Sequence, residues 1–294
     1  MYSRLLLYGK ITTQIIPKNS GLKYFSKKYI KREFEIIKNV TDNEPEHKAQ
    51  LNVLKPKLCR YKGIYPYKSN TVKLNEEGQE INASWVNLPK PQSYIATQGP
   101  PKACIDDFWE MCFKYQVNLI IMLCQVIENK IEKCSEYWKV NSQKYQLKNI
   151  EEKKDNQFIE RKIVIVDFRA RTERTFNQLQ FLNWPDHKVP NVQELYQTFV
   201  RMIKFTEGNK KETTSPVVIH CSAGVGRTGT FIASSILYRE ISISSNKESI
   251  EFNIFNLVRK LKEFRLYMVE NIDQYKLIYA FVEAYLKEIN SEKK

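Results

Sequence analysis

The sequence is poor in the groups that build metal sites, disulfide frameworks and membrane spans. Only three of its 294 residues are histidine, too few for a cluster of imidazole ligands. Six cysteines are scattered without the spacing of a disulfide framework or a metal site, which indicates a reducing compartment. The longest apolar run, residues 117–126, contains Asn118 and Gln125 and is far shorter than the roughly 20 residues of a transmembrane helix. We therefore expect no metal, no other cofactor, no transmembrane segment and a cytoplasmic location.

Acidic residues are absent from the first 32 positions, which carry eight Lys and Arg residues. The remaining 39 Lys and Arg exceed the 33 Asp and Glu by 6, so this short segment supplies more than half of the net charge of +14. Residues 1–26 are accordingly predicted to be a basic, flexible N-terminal extension, and residues 27–290 a single folded domain. Two alternatives for the extension are a mitochondrial presequence and a patch that binds a membrane surface or an acidic partner.

One segment, residues 218–229, combines a cysteine, an arginine and three glycines at fixed offsets. Five residues separate Cys221 from Arg227, in a turn between a strand-like apolar run and a helix-like stretch. A strand–loop–helix of this kind directs successive backbone N–H groups into one concavity at the positive end of a helix, where an anion binds. The expected phosphate-binding residues are those between the cysteine and the arginine: Ser222, Ala223, Gly224, Val225 and Gly226.

The residues of this segment predict phosphoryl transfer to sulfur. The positive field of the loop favours the thiolate form of Cys221, which is the nucleophilic form of cysteine. Arg227 supplies a planar pair of donors matched to two phosphate oxygens, and Thr228 adds a hydroxyl group. The alternative, a buried structural cysteine before a glycine turn, leaves the arginine and the hydroxyl unexplained. A nucleotide-binding P-loop does not fit, because its Gly-Lys-Ser/Thr ending is absent.

Further motifs occur in a fixed order along the chain, and with them the sequence resembles the protein tyrosine phosphatases. They are Arg60-Tyr61, Ile81-Asn82-Ala83-Ser84, Thr97-Gln98-Gly99-Pro100, Phe108-Trp109-Glu110-Met111, Lys133-Cys134-Ser135-Glu136-Tyr137-Trp138, Trp184-Pro185-Asp186 and Asp273-Gln274-Tyr275. The resemblance covers residues 33–288. It implies one α/β domain with a highly twisted mixed sheet flanked by helices.

Residues 218–229 correspond to the signature segment of this family, and Arg227 is its signature arginine. The resemblance also implies roles for residues outside this segment. Asp186 is the expected general acid, which protonates the leaving tyrosyl oxygen and later takes a proton from water; an aspartate after proline is otherwise usually a turn residue. Tyr61 is expected to wall a deep pocket that suits the reach of phosphotyrosine, with a core tyrosine as the alternative. Glu128 is expected to orient the signature arginine, with a surface glutamate as the alternative, and Gln274 to place the hydrolytic water.

Three positions depart from the family's pattern. In the substrate-recognition loop, which contains Arg60-Tyr61, the family usually carries Asp at the position of Gly63. In the late loop, which contains Asp273-Gln274-Tyr275, the family usually has Gln at the position of Glu270. In the acid loop, which contains Trp184-Pro185-Asp186, Gly is common at the position of Lys188. A carboxylate beside a bound phosphate is electrostatically unfavourable, so Glu270 predicts a weakened enzyme. His220, next to the nucleophile, is expected to tune the thiolate rather than to bind a metal. The altered recognition loop and the string over residues 184–190 resemble the polydnavirus (bracovirus) branch, which implies expression in infected insect cells.

Three functions compete on this evidence. The first is an active tyrosine-protein phosphatase that acts in signalling on phosphotyrosine-containing proteins through a cysteinyl-phosphate intermediate. The second is a catalytically weak phosphotyrosine-binding trap, which the retained Asp186 disfavours because a trap needs no acid. The third is an RNA 5′-phosphatase, which suits the net charge. Nucleic acid is nevertheless not the expected partner, because much of the charge lies in the N-terminal segment and the phosphotyrosine motifs are present.

Overall fold

A mixed β-sheet forms the framework of the molecule. The computed structural model describes residues 14–17, 27–88, 93–184, 192–208, 215–243 and 249–291. The strands in these ranges are β1 Gln14–Pro17, β2 Thr71–Lys73, β3 Glu80–Val86, β4 Tyr94–Thr97, β5 Leu119–Met122, β6 Ile127–Glu128, β7 Ile131–Glu132, β8 Tyr145–Lys154, β9 Phe158–Asp167, β10 Thr172–Phe181, β11 Val217–His220 and β12 Ser249–Phe252. Eight of them form the main sheet, in the order β2-β3-β4-β11-β5-β10-β9-β8.

Four parallel strands, β4, β11, β5 and β10, occupy the centre of this sheet. Every residue of β4, β5 and β11 is buried, and all of them are hydrophobic except Thr97 and His220 at the strand ends. Ile219 of β11 lies in register with Ala96 of β4 and Ile121 of β5. Continuously apolar strands of this kind need helices on both faces. Cys221, the residue after β11, therefore lies where the carboxyl ends of the central parallel strands meet.

Three ten-residue strands, β8, β9 and β10, form an antiparallel meander on one side of the sheet. Its first turn is stabilised by Asp155, whose carboxylate accepts hydrogen bonds from the N–H groups of Gln157 and Phe158, each at 2.8 Å. Asp167 caps the second turn in the same way, by accepting from the N–H groups of Arg169 and Ala170. Short polar side chains favour such turns because they bond their own backbone. Polar residues of the meander reach the functional site across one face of the sheet.

Helices cover the sheet, which confirms the predicted α/β architecture. Those in the described ranges are α1 Lys27–Val40, α2 Pro45–Ala49, α3 Ile105–Lys114, α4 Val192–Gly208, α5 Gly226–Ile243, α6 Ile254–Phe264 and α7 Ile272–Ser291, together with single 3-10 turns at Pro56–Leu58, Lys102–Cys104 and Tyr137–Lys139. α5 is buried along most of its length and packs against α4, α6 and α7. Its burial on all sides fixes the loop that precedes it.

Two helix boundaries differ from those that the sequence pattern predicts. Apolar spacing predicts a helix over 250–264, but its first residues belong to β12 and the helix begins at Ile254. Asn253 caps α6 by accepting a hydrogen bond from the N–H of Asn256 at 2.8 Å. The pattern also suggests Asp273 as the cap of α7, whereas Asn271 fills that role by accepting from the N–H groups of Asp273 and Gln274. In both cases the asparagine satisfies backbone donors that the first helical turn leaves without partners.

Part of the predicted N-terminal extension is joined to the domain. Residues Gln14–Pro17 form β1, which pairs antiparallel with β12 in a two-stranded sheet. Backbone hydrogen bonds between the two strands join this part of the segment to β12. The flexibility of residues 1–26 stays a prediction. The rest of residues 1–26 lies outside the described residues. The helical spacing of apolar residues over 29–40 predicts α1, and Ile30, Phe34 and Ile37 on one of its faces are buried.

Candidate active site

Cys221 lies at the bottom of a loop formed by the five residues before Arg227. The Cys221 side chain is 5% exposed, and the N–H of Gly224 donates to its sulfur at 3.3 Å. Gly224 has a φ of +74°, and a Cβ atom there would lie 2.2 Å from the carbonyl oxygen of Thr97. Only glycine satisfies both constraints, because other residues are strained at this φ and collide with the backbone. α5 begins within the loop, so its positive end faces the cysteine.

Arg227 is held in place by Glu128, as the sequence predicts. Each terminal nitrogen of the guanidinium donates to one oxygen of the carboxylate at 2.6 Å, and Nη1 also donates to the carbonyl oxygen of Leu123 at 3.1 Å. Burial alone lowers the pKa of Arg227, but the hydrogen bonds and charge of Glu128 raise it overall. Glu128 is brought there by a hairpin, β6–β7, whose turn residues Asn129 and Lys130 have φ of 51° and 64°. The pair fixes the plane of a permanent cation beside the thiol.

Arg265 supports the loop from behind, a role that the sequence analysis missed. The side chain is fully buried and donates to the carbonyl oxygens of Gly224 at 3.0 Å and Ala223 at 3.1 Å. It also donates to Oδ1 of Asn82 at 2.7 Å and Oγ of Ser84 at 3.2 Å. Burial lowers the pKa of Arg265 to about 10. Arg265 thus binds the carbonyls of Ala223 and Gly224, while the N–H of Gly224 faces Cys221. The sequence signal was an arginine in an otherwise apolar stretch.

The predicted recognition loop lies against the signature loop. The Tyr61 hydroxyl and Oγ of Ser222 are 2.8 Å apart, and Ser222 itself donates to the carbonyl oxygen of Lys133 at 2.9 Å. Because the Ser222 hydrogen is used in that way, the Tyr61 hydroxyl is the donor to Ser222. Arg60 anchors the loop through bonds to Gly99, Pro100 and Glu132. The structure therefore places the Tyr61 hydroxyl against Ser222 of the signature loop.

The structure explains why position 63 is a glycine, which the family pattern alone does not. Its φ is +85°, a conformation in which side chains are strained, and no atom lies within 4 Å of a Cβ placed there. The glycine is therefore explained by the backbone conformation of the turn after Tyr61 rather than by steric crowding.

Gln274 and Glu270 both lie above Gly226 at the start of α5. A Cβ at Gly226 would lie 2.7 Å from Nε2 of Gln274 and 3.0 Å from Oε2 of Glu270. The backbone N–H of Glu270 donates to Oε1 of Gln274 at 2.8 Å, so the two residues form one unit. Glu270 remains exposed. A carboxylate is thus placed at the rim of an anion site, at the position where the sequence suggests an unfavourable charge.

His220 is buried and neutral beside the nucleophile. Burial lowers its pKa to about 4, Nδ1 is 3.1 Å from the carbonyl oxygen of Cys221, and Nε2 is 2.9 Å from the Tyr137 hydroxyl. Thr228 is buried at the start of α5, and its hydroxyl has no hydrogen-bond partner among the described residues. Asp186 and Lys188 lie outside the described residues. Trp184, just before them, packs between Phe181 and Phe199.

Neither a metal site nor a membrane span is found in the part of the chain that the structure describes. No group of three or more His, Cys, Asp or Glu side chains there is arranged to hold a metal ion. No described helix carries an apolar stretch sufficient for a membrane crossing.

The fold and the signature loop define a class of protein, and comparison with known proteins identifies it. Residues 55–284 match the family model of the protein-tyrosine phosphatases, and the chain belongs to this family. It is 36% identical over 239 residues to human (Homo sapiens) tyrosine-protein phosphatase non-receptor type 20, covering 78% of this chain and 54% of the human protein. The type 20 protein of Rattus norvegicus is 31% identical over 266 residues, 86% of this chain and 61% of that protein. The chain thus spans little more than half the length of these curated relatives.

Solved structures agree with this assignment. The catalytic domain of human protein tyrosine phosphatase non-receptor type 18 superposes with a TM-score of 0.74 at 25% sequence identity, covering 88% of this chain and 96% of that chain. A second structure of the type 18 phosphatase, which concerns distinct HER2 tyrosine phosphorylation sites, has a TM-score of 0.76 at 25% identity and covers 88% of this chain and 95% of that chain.

Proposed function

We propose that this chain is a tyrosine-protein phosphatase that hydrolyses phosphotyrosine in proteins through a cysteinyl-phosphate intermediate. The observation that carries the proposal is one loop that combines a buried thiol, the Gly224 N–H donated to its sulfur and the Arg227 guanidinium held by Glu128. Family membership supports the same reaction. The structure of the type 18 phosphatase that concerns HER2 tyrosine phosphorylation sites has a similar fold and supports phosphotyrosine as the substrate class.

In the proposed first step, the sulfur of Cys221 attacks phosphorus. An S–P bond forms while the bond from phosphorus to the tyrosyl oxygen breaks, and Asp186 gives its proton to that oxygen. Charge on the three equatorial oxygens is stabilised by the loop N–H groups and Arg227, which are fixed before the reaction. The geometry that supports this step is the pair of 2.6 Å bonds from Glu128, which sets the plane of the guanidinium.

In the proposed second step, water attacks the phosphorus of the intermediate and the S–P bond breaks, returning the electron pair to sulfur. Asp186, now ionised, accepts the proton of the water. Gln274 is the residue proposed to place the water, because its amide lies directly above Gly226 in the phosphate-binding loop.

Tyr61 is proposed to select phosphotyrosine over shorter phosphorylated side chains. Its hydroxyl is tied to Ser222 at 2.8 Å, so the ring forms a fixed wall next to the loop that binds the phosphate. A phosphotyrosine ring spans the distance from the peptide to a phosphate at the bottom of such a cleft and stacks on the wall. Phosphoserine and phosphothreonine are too short to do both.

Glu270 supports the second candidate, a phosphotyrosine-binding trap with weak turnover. Its carboxylate lies at the same loop as the phosphate, where its charge opposes the dianionic substrate and the intermediate. The trap is distinguished from the enzyme by the stability of the complex: a trap binds a phosphotyrosine peptide and releases it intact.

The finer assignments rest on sequence resemblance alone. We propose that the chain belongs to the bracovirus branch and acts on phosphotyrosine signalling in the cytoplasm of an infected insect cell, with mitochondrial targeting by residues 1–26 as the minor alternative. Expression of the full chain with a C-terminal fluorescent label in insect cells tests the location. Mitochondrial fluorescence would contradict the main assignment.

The deciding experiment compares two substrates and two cysteine variants of the full chain. Release of phosphate from a phosphotyrosine peptide is expected, with none from triphosphate-ended RNA. Cys221→Ser should abolish turnover while keeping peptide binding, because the N–H donors and the arginine remain. Cys112→Ala, which alters a buried cysteine of α3, is the matched control and should keep full activity. Turnover by Cys221→Ser would require another nucleophile, and phosphate release from RNA alone would favour the RNA phosphatase.

A further inference from the structure

A line of polar side chains crosses one face of the sheet from the β8 edge to the nucleophile. Glu152 of β8 lies directly opposite Arg161 of β9, which in turn lies opposite Gln178 of β10. Residues opposite each other in an antiparallel pair share a face, so the three side chains are neighbours. Tyr137 and His220 continue the line from Gln178 to the backbone of the signature loop.

Each neighbouring pair in this line is joined by a hydrogen bond. Nε of Arg161 donates to Glu152 at 2.7 Å, and its Nη1 donates to Oε1 of Gln178, also at 2.7 Å. The amide nitrogen of Gln178 contacts the Tyr137 hydroxyl. That hydroxyl is 2.9 Å from Nε2 of His220, whose Nδ1 is 3.1 Å from the carbonyl oxygen of Cys221.

Arg161 determines the direction of all these bonds, because a guanidinium can only donate. Gln178 must turn its carbonyl oxygen to Arg161, so its NH2 group faces Tyr137 and the sulfur of Met122, 3.8 Å away. The Tyr137 hydroxyl has two partners among the described residues, the amide nitrogen of Gln178 and Nε2 of His220. Because the amide nitrogen can only donate, the hydroxyl hydrogen goes to Nε2 of His220. Nε2 is therefore unprotonated, and the hydrogen of the neutral ring is on Nδ1, which donates to the carbonyl of Cys221.

Because these side chains are buried, reversing the direction of their hydrogen bonds would be energetically unfavourable. Gln178, Tyr137 and His220 are 0% exposed and Arg161 is 6% exposed, so water cannot replace a lost partner. A reversed chain would place the Nδ1 lone pair against the carbonyl oxygen of Cys221, two acceptors at hydrogen-bond distance in a medium of low dielectric constant.

We propose that Arg161 and Gln178 are positioning residues that select the tautomer of His220 and thereby hold the backbone at Cys221. The inference rests on the proposed function in one respect, that Cys221 is the nucleophile. Neither residue touches the substrate; they act through Tyr137 and His220 on the peptide that begins the phosphate-binding loop.

Gln178→Glu reverses the chain with almost no change of shape. A carboxylate only accepts, so it takes hydrogen bonds from both Arg161 and the Tyr137 hydroxyl. Tyr137 then accepts from His220, whose hydrogen must move to Nε2. Gln180→Glu is the matched control: Arg161 also donates to Oε1 of Gln180, at 2.8 Å, but the amide of Gln180 donates to the carbonyl of Cys124 and is not joined to Tyr137.

Nitrogen-15 NMR of the histidine side chains in the full chain distinguishes the two tautomers, and this readout is independent of activity. We expect the Nδ1–H form of His220 in the unaltered protein and in Gln180→Glu, and the Nε2–H form in Gln178→Glu. With a phosphotyrosine peptide, kcat of Gln178→Glu should fall about tenfold while KM stays within about twofold. An unchanged tautomer in Gln178→Glu overturns the proposal, and so does a switched tautomer with unchanged kcat.

A second pair of variants tests Arg161 itself and does not depend on the folding of Gln178→Glu. Arg161→Lys keeps a donor and should retain the Nδ1–H form, whereas Arg161→Met frees Gln178 to turn and should give a mixture of tautomers. A single Nδ1–H form in Arg161→Met would overturn the role of Arg161. Absence of phosphatase activity in the unaltered protein would instead contradict the proposed function, while the NMR result would still decide the inference.

Discussion

Glu270→Gln is the substitution that tests most directly whether this site is electrostatically weakened. Oε2 of Glu270 would be 3.0 Å from a Cβ on Gly226, a residue of the phosphate-binding loop, so its charge faces bound phosphate across a short distance. Glutamine has nearly the same shape and removes only the charge. The backbone N–H of Glu270, which holds Gln274, is unaffected. We therefore expect kcat/KM for a phosphotyrosine peptide to rise.

The size of the gain follows from Coulomb's law. Two unit charges roughly 6 Å apart repel by about 0.7 kcal/mol in bulk water and about 3 kcal/mol at an effective dielectric constant of about 20. An exposed carboxylate at the rim of a cleft lies between these limits, which gives about 1 to 2 kcal/mol, or a roughly five- to thirtyfold increase in kcat/KM. The gain should shrink at high salt because exposed charges are screened.

The assay is steady-state hydrolysis of a phosphotyrosine peptide between pH 5 and 8, at low and high ionic strength. Glu283→Gln alters another carboxylate, about three turns along α7. It controls for the change in net charge and should leave kcat/KM unchanged. No change in kcat or KM at any pH would refute the reasoning, and a loss of rate would mean that Glu270 assists the hydrolytic water.

Four further substitutions have defined outcomes. Asp186→Ala should lower kcat by a general-acid factor of roughly 10² to 10⁴ with little change in KM, and should flatten the alkaline limb of the pH–rate profile; an unchanged kcat would favour the trap. In urea denaturation, Gly224→Ala should lower the free energy of unfolding by about 3 kcal/mol or more, because it adds a collision with Thr97 to the strain of a positive φ. Gly63→Ala, which is strained but not crowded, should lower it by about 1 kcal/mol. Equal costs would show that the collision relaxes. For His220 the pKa is about 4 when folded and 6.5 in its ordinary state, so protonation favours the unfolded chain and stability is lost as the pH falls from 6.5 towards 4. His220→Asn should remove about 2 kcal/mol of the stability difference between pH 7 and pH 5, and an identical pH dependence would show that His220 does not carry it.

The sequence alone predicted the chemistry because the residues that carry it are local. Cys221 and Arg227 lie in one strand–loop–helix, so their spacing fixes their geometry wherever that unit folds. Tyr61 and Glu128 were predicted through motifs, and the structure places both at the loop, within hydrogen bonds to Ser222 and Arg227. The α/β class followed from the same motifs and was confirmed.

The tertiary structure decided everything that depends on distant residues meeting. Arg265 reaches the loop carbonyls, and Arg161 reaches His220 through Gln178 and Tyr137, only because separate elements pack together. The apolar residues around Arg265 signal that it is buried, but no local pattern names its partners. The docking of β1 on β12 is equally invisible in a basic segment whose composition suggests an extension. The sequence by itself determined which atoms can react, since reactivity belongs to a short segment with its own backbone geometry. Tertiary packing decided how those atoms are held, because burial removes water and makes each distant polar partner obligatory.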